Sequence, residues 1–166
     1  MSSIVARHVD RASLPVIDIS GLASSEEADR KAVAQALREA CIDKGFFYCT
    51  GHGIPEGLME AVFAETRALF AQSSDEKLDL EKSKRSKANR GYEILGGQTL
   101  QADAPPDRKE GYYIGLELHE SHPHVAAGRF NRGANVWPHN LPGFRPTMLA
   151  YYAGMQALGE RLMQGL

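Results

Sequence analysis

Three histidine arrangements mark where this chain could do chemistry. His8-Val9-Asp10 sets an imidazole and a carboxylate two residues apart, a spacing used for metal ligation. The run HESHPH brings His119, His122 and His124 close together, and such a cluster can take up a transition metal at neutral pH. His52 stands alone between Gly51 and Gly53. A metal centre needs ligands fixed by the structure around them. His8 and Asp10 lie on a tail, residues 1–13, that is expected to be flexible. The HESHPH run holds Pro123 among polar residues and reads as an exposed loop without a carboxylate scaffold. His52 follows an apolar strand and is expected to tie backbone groups together through its ring nitrogens. No metal ligand and no catalytic residue is assigned within the chain on this reading.

Other polar groups are read as structural. Lys82, Lys84, Arg85, Lys87 and Arg90 fall in the run KSKRSKANR. It has no interleaved aromatics, so a solvated loop is expected rather than a phosphate or nucleic-acid site. Asp107, Lys109 and Glu110 in DRKEGYY are expected to orient a turn through charge-assisted hydrogen bonds. Asn135 and Trp137, followed by Pro138, read as a structural corner in which the indole buries a large flat surface.

These side chains need elements to hold them. The strand LPVIDIS over Leu14–Ser20 is bounded by Gly21. A helix follows to about Lys44, with Ser24 and Glu27 as a possible capping box and Val33, Ala36, Leu37, Ala40 and Cys41 at helical spacing. Gly45 stands where a left-handed cap is needed. FFYCT has no polar alternation and is expected to be a strand buried on both faces. Pro55 opens a second helix carrying Leu58, Met59, Val62, Phe63, Leu69 and Phe70. Ser73 with Glu76 could cap a further short turn. Glu81–Arg90 is expected to be an exposed loop, RGYEILGG and EGYYIGLEL the strands of a hairpin or small sheet, and the residues from about Phe144 a last helix.

The chain's 166 residues, 43% hydrophobic and 24% charged, suit one soluble domain, and a formal charge of −2 argues against nucleic-acid or membrane partners. No apolar run is long enough for a membrane span or a signal peptide. The two cysteines, Cys41 and Cys49, read as buried free thiols, which suits a reducing, cytoplasmic setting.

The order of these pieces resembles the N-terminal half of the isopenicillin N synthase-like family, most of whose members are 2-oxoglutarate- and Fe(II)-dependent dioxygenases. LPVIDIS, ALREACIDKGFFYCTGHGIP, ETRALFAQSSDEK, RGY, DRKEGYYIG, NVWPHNLPGFR and the helix MLAYYAGMQALGERLM carry the resemblance in register. The family usually has Asn in place of Gly51. The resemblance implies an α/β (α+β) fold in which residues 14–143 form the N-terminal domain of a double-stranded β-helix (jelly-roll) oxygenase. Residues 144–166 would be the helix leading into a β-helix core that is largely absent from this chain. It also implies that Fe(II) and 2-oxoglutarate are held by that missing C-terminal half, with the iron on two histidines and a carboxylate and the co-substrate on an Arg-x-Ser motif. The parent enzyme would hydroxylate, desaturate or cyclise a small organic substrate, residues 1–166 alone being inactive. Within that family the RGY region approaches the substrate pocket, so Arg90 and Tyr92 are the substrate-contact candidates. Without the resemblance, Arg90 would pair with a carboxylate of the fold and Tyr92 would pack. Two alternatives stay open: a stand-alone binding or regulatory module of the same descent, and an iron oxidase of the family that does not use 2-oxoglutarate.

Overall fold

The computed structural model describes residues 14–99 and 105–166; the expected tail and its His8–Asp10 pair lie outside the described residues. In chain order the elements are β1 (Val16–Asp18), a 3-10 turn (Ser20–Ala23), α1 (Glu27–Asp43), β2 (Tyr48–Thr50), α2 (Glu56–Phe70), α3 (Ser74–Leu78), α4 (Lys82–Arg85), β3 (Gly91–Glu93), β4 (Gly111–Tyr113), α5 (Pro123–Ala126) and α6 (Phe144–Gly165). This is the mixed α/β content expected. The chain gathers into two units, one of residues up to Pro55 with Ala153–Leu166, the other of Glu56–Tyr152.

In the first unit β1 and β2 pair in parallel, Val16 beside Tyr48, Ile17 beside Cys49 and Asp18 beside Thr50. Parallel neighbours need a long crossover, and α1 provides it. α1 turns Val33, Leu37 and Ala40 inward at i, i+4 and i+7. Gly45 follows it with φ +79°, the left-handed conformation that a C-terminal cap requires. Ile17, Ile19, Leu22, Ile54 and, from α6, Leu158 are also buried.

Three expectations change here. Ser24 does not form a capping box with Glu27. Its hydroxyl accepts the Glu26 N–H (3.1 Å) and donates to Asp29 (2.7 Å), while α1 starts two residues later than the box requires, with Glu26 at the cap. FFYCT is not buried on both faces, since Phe46 is 54% and Tyr48 61% exposed. Among the described residues this sheet has two strands, and the side chains of Val16 and Tyr48 stand uncovered. Cys41 is exposed and Cys49 half-buried, rather than both buried. One residue beyond Ala40 is a further 100° around the helix, which takes Cys41 out of the inward stripe.

In the second unit Leu69, Leu80, Tyr92, Phe144 and Met148 form a buried cluster ringed by Val62, Phe70, Tyr112, Ile114, Val136 and Trp137. Phe144 meets Tyr112 and Trp137 edge-on, with ring centres 5.4 and 6.3 Å apart. α3 has the full capping box read from the sequence: the Ser73 hydroxyl accepts the Glu76 N–H, and Glu76 accepts the Ser73 N–H at 2.9 Å. β3 and β4 pair antiparallel with Tyr92 opposite Tyr112. The stretch Glu81–Arg90, expected as an exposed loop, instead forms α4 and buries Ala88 and Arg90. A single helical turn is too short to leave a periodic signature.

Candidate functional site

The β3–β4 pair carries the polar groups with the most specific surroundings. Successive strand residues face opposite sides, and each side holds a lysine, a glutamate and a tyrosine. On one, the Tyr92 hydroxyl donates to Glu110 Oε2 at 2.5 Å, and Lys77 Nζ donates to the same oxygen at 2.8 Å. Lys77 also stands 5.6 Å from the centre of the Tyr92 ring. On the other, the Tyr113 hydroxyl donates to Glu93 Oε2 at 2.8 Å, and Lys82 donates to Glu93 Oε1 at 2.5 Å. Lys82 lies 4.4 Å over the Tyr113 ring.

These contacts set the ionisation. The hydrogen bond from Lys77, then that from Tyr92, holds the Glu110 carboxyl below its ordinary value. The Lys82 bond does the same for Glu93, with Tyr113 and the nearby charges of Lys82 and Lys109 adding to it. Burial and the bond to Glu110 push the Tyr92 hydroxyl up to about 12. The bond to Glu93 raises Tyr113, and burial raises Tyr112. Around neutral pH both carboxylates stay charged and the three phenols stay protonated. A general acid or base has a pKa close to the working pH; these groups brace the sheet.

The two residues marked for substrate contact turn inward. Arg90 is 9% exposed and Tyr92 5%. Arg90 donates Nη1 to the Ala88 carbonyl (2.8 Å) and Nη2 to the Asn131 carbonyl (2.9 Å), so its partners are backbone oxygens and not the carboxylate of the alternative reading. Its Nε is buried without a partner. Gly115 makes room for it, since a Cβ there would collide with the guanidinium. Arg90 therefore clamps the segment around Asn131 against the start of β3.

Asn135 behaves as a strand partner made from a side chain. Its Oδ1 accepts the Gly115 N–H and its Nδ2 donates to the Gly115 carbonyl, both at 2.8 Å. Glu117 accepts the Asn135 N–H at 3.1 Å, the Asn135 amide at 2.5 Å and the Trp137 indole N–H at 3.4 Å. Arg145 lies 3.8 Å from Glu117 and 5.8 Å from the Trp137 ring. Sequence reading singled out Asn135 and Trp137 but missed Glu117, whose only signal is its place two residues beyond Gly115. The structure thus joins Arg90, Asn135 and Trp137 through Gly115 and Glu117, and Tyr92 with Glu110. Asp107 and Lys109 engage through the backbone: the Asp107 N–H donates to Gln98 (2.9 Å), and the Lys109 carbonyl accepts from Gly96 (3.2 Å).

In the first unit, His52 Nδ1 accepts the Ile54 N–H at 3.0 Å, while its carbonyl accepts from Arg161 Nη2 at 2.6 Å. His119 and His122 likewise accept backbone N–H groups, from Ser121 and His124. Among the described residues no three His, Cys, Asp or Glu side chains are placed to hold a metal ion. The described residues therefore do not fit the two-histidine, one-carboxylate set for Fe(II). No helix is long and apolar enough to cross a membrane, among the described residues.

Comparison with known proteins gives these features a class. The crystal structure of a full-length Neurospora crassa protein in complex with alpha-KG is similar to this chain with a TM-score of 0.71 at 27% identity, over 95% of this chain and 47% of that one. Two curated relatives match as well. A 2-oxoglutarate-Fe(II) type oxidoreductase of Emericella nidulans, hxnY, is 37% identical over 90% of this chain and 43% of its own length. The 2-oxoglutarate-dependent dioxygenase thnC of Trichoderma harzianum is 41% identical over 93% of this chain and 48% of its own. Fold and relatives alike are those of the 2-oxoglutarate-Fe(II) oxygenase class. Within it, the chain belongs to the family described as non-haem dioxygenase in morphine synthesis N-terminal, whose model matches residues 14–140. The resemblance drawn from the sequence motifs is borne out. The chain spans about half the length of the curated relatives it matches.

Proposed function

We propose that this chain is the N-terminal portion of a 2-oxoglutarate- and Fe(II)-dependent oxygenase that hydroxylates, desaturates or cyclises a small organic substrate. On its own it would be catalytically incomplete. The observation that carries this reading is the coverage: two relatives named for 2-oxoglutarate match 90% and 93% of this chain, yet less than half of themselves. In the complete enzyme, the metal and the co-substrate supply the oxidising chemistry from a jelly-roll core built by the remaining half. This chain would supply part of the pocket wall.

Arg90 and Tyr92 enter this proposal as positioning residues. Their bonds to Ala88, Asn131 and Glu110 favour a role in holding the wall's shape rather than in touching substrate. Two linked measurements test the reading. Reading the transcript downstream of codon 166 is expected to reveal an in-frame His-x-Asp and a later His. The extended chain, given Fe(II), is expected to convert 2-oxoglutarate to succinate, and residues 1–166 are not. Robust turnover by residues 1–166, or a stop codon directly after Leu166 in the natural transcript, would overturn it.

A further inference from the structure

The first unit holds an open cleft of about 650 Å³ between the outer face of α1 and the end of α6. Ala34, Cys41, Ile42 and Leu166 give it an apolar floor, and Lys31 and Arg38 stand in its lining. Ile42 is 68% exposed and Leu166 75%, and Met163 nearby in the sequence is 73%. Unpartnered aliphatic side chains of this size on one face mark a place where something else packs.

The end of α6 packs against the core beside this cleft. Gly165 lies so close to the core that a Cβ would stand 2.8 Å from Leu22 Cδ2 and 3.3 Å from Leu37 Cδ1. One turn earlier, Arg161 is tied to the His52 carbonyl at 2.6 Å. These contacts set Leu166 in the cleft lining, so any residue joined to Leu166 must begin its course there.

We propose that the cleft is the seat of the segment that follows Leu166 in the full-length protein. The inference rests on the fragment reading above and adds to it which surface is covered, and by what. The expected occupant is a short apolar run that lies on Ala34, Cys41 and Ile42 and carries an acidic residue within reach of Arg38. It is the continuing chain, rather than a second copy or a small molecule, because the pinned helix end delivers that chain to the cleft and the relatives are about twice this length.

Cys41 is a native reporter inside the cleft. In the full-length protein carrying Cys49→Ser, the rate of Cys41 labelling by a small aromatic disulfide is compared between native and guanidinium-unfolded protein, with the site of labelling read by mass spectrometry. Burial under the continuing segment is expected to slow native labelling about tenfold or more. Ile42→Glu, which sets a charge against that segment, is expected to restore most of the reactivity. Native labelling as fast as in the unfolded chain overturns the proposal, as does slow labelling that vanishes on dilution to a monomer, which would place a second copy there. If the transcript shows no continuation, this proposal falls together with the fragment reading. If the extended protein turns over 2-oxoglutarate while Cys41 stays fully reactive, this one falls alone.

Discussion

The described residues form two small sheets of equal size and opposite character. β3 and β4 are laced to lysines on both faces through Glu93 and Glu110, and their strand residues are buried or half-buried. β1 and β2 bury Ile17 on one side and leave Val16 and Tyr48 bare on the other. A two-stranded ribbon is marginal by itself, and these two meet that problem differently. The antiparallel pair is completed by its own polar partners and the Phe144 cluster. The parallel pair is finished on one face only among the described residues.

Substitutions can sharpen or break this contrast, and Trp137, the chain's single tryptophan, reports on the second unit. Phe144→Ala is expected to have the largest effect, about 4 kcal/mol in urea unfolding followed by Trp137 fluorescence, because a side chain only 1% exposed leaves a cavity in the cluster. Asn135→Ala should cost about 3 kcal/mol in the same measurement, since it orphans both backbone groups of Gly115 and removes the side-chain amide donor from Glu117. A loss under about 1 kcal/mol would show that water replaces the amide at no penalty. Glu110→Gln is expected to cost about 2 kcal/mol, leaving Lys77 and the Tyr92 hydroxyl with a neutral partner. Tyr48→Thr in the first sheet, at a 61% exposed position, should change stability by less than about 0.5 kcal/mol in urea unfolding followed by far-ultraviolet circular dichroism, which reads both units. A Tyr48 effect as large as that of Glu110 would erase the distinction between the sheets.

The pH dependence sharpens the same comparison. The folded-state carboxyls of Glu93 and Glu110 sit below their ordinary value of 4.5, so their contribution is present above that value and is lost as pH falls through the lowered folded values. The folded-state hydroxyl of Tyr92 is raised from 10.0 to about 12, so its contribution is present below 10.0 and is lost as pH rises toward 12. Thermal unfolding followed at Trp137 should therefore weaken at both extremes. Burial, the larger cause of the Tyr92 shift, remains in Glu110→Gln, so this variant should flatten part of the alkaline limb and part of the acid limb. An unchanged alkaline limb in that variant would separate Tyr92 from Glu110.

Much of the architecture was legible because local physics enforces it. Ser73 and Glu76 sit at capping-box spacing and form the box. Gly45 occupies the left-handed position after α1, and the apolar spacing of Val33, Leu37 and Ala40 marked the inward stripe. The family itself could be read from the order of motifs, because those motifs are the turns, caps and strand cores that any chain of this fold must repeat. Where the reading failed, the cause was a partner distant in sequence. FFYCT has the composition of a strand buried on both sides, yet burial depends on which element covers it, and none of the described residues covers Tyr48. Arg90 reads as a surface cation in a basic run, yet Asn131, forty-one residues away, supplies a carbonyl that draws it inside.

The sequence by itself determined the longer helices, the Ser73 and Gly45 caps, the strand segments and the family, since each follows from near-neighbour sterics, hydrogen bonding and apolar periodicity. Tertiary structure alone decided which charges leave the open surface and with whom: Glu93, buried, with Lys82 and Tyr113, and the half-buried Glu110 with Lys77 and Tyr92 and Glu117 with Asn135 and Trp137. A buried charge is tolerable only where several donors converge on it, and that convergence is a property of the folded chain, which no local stretch of residues encodes.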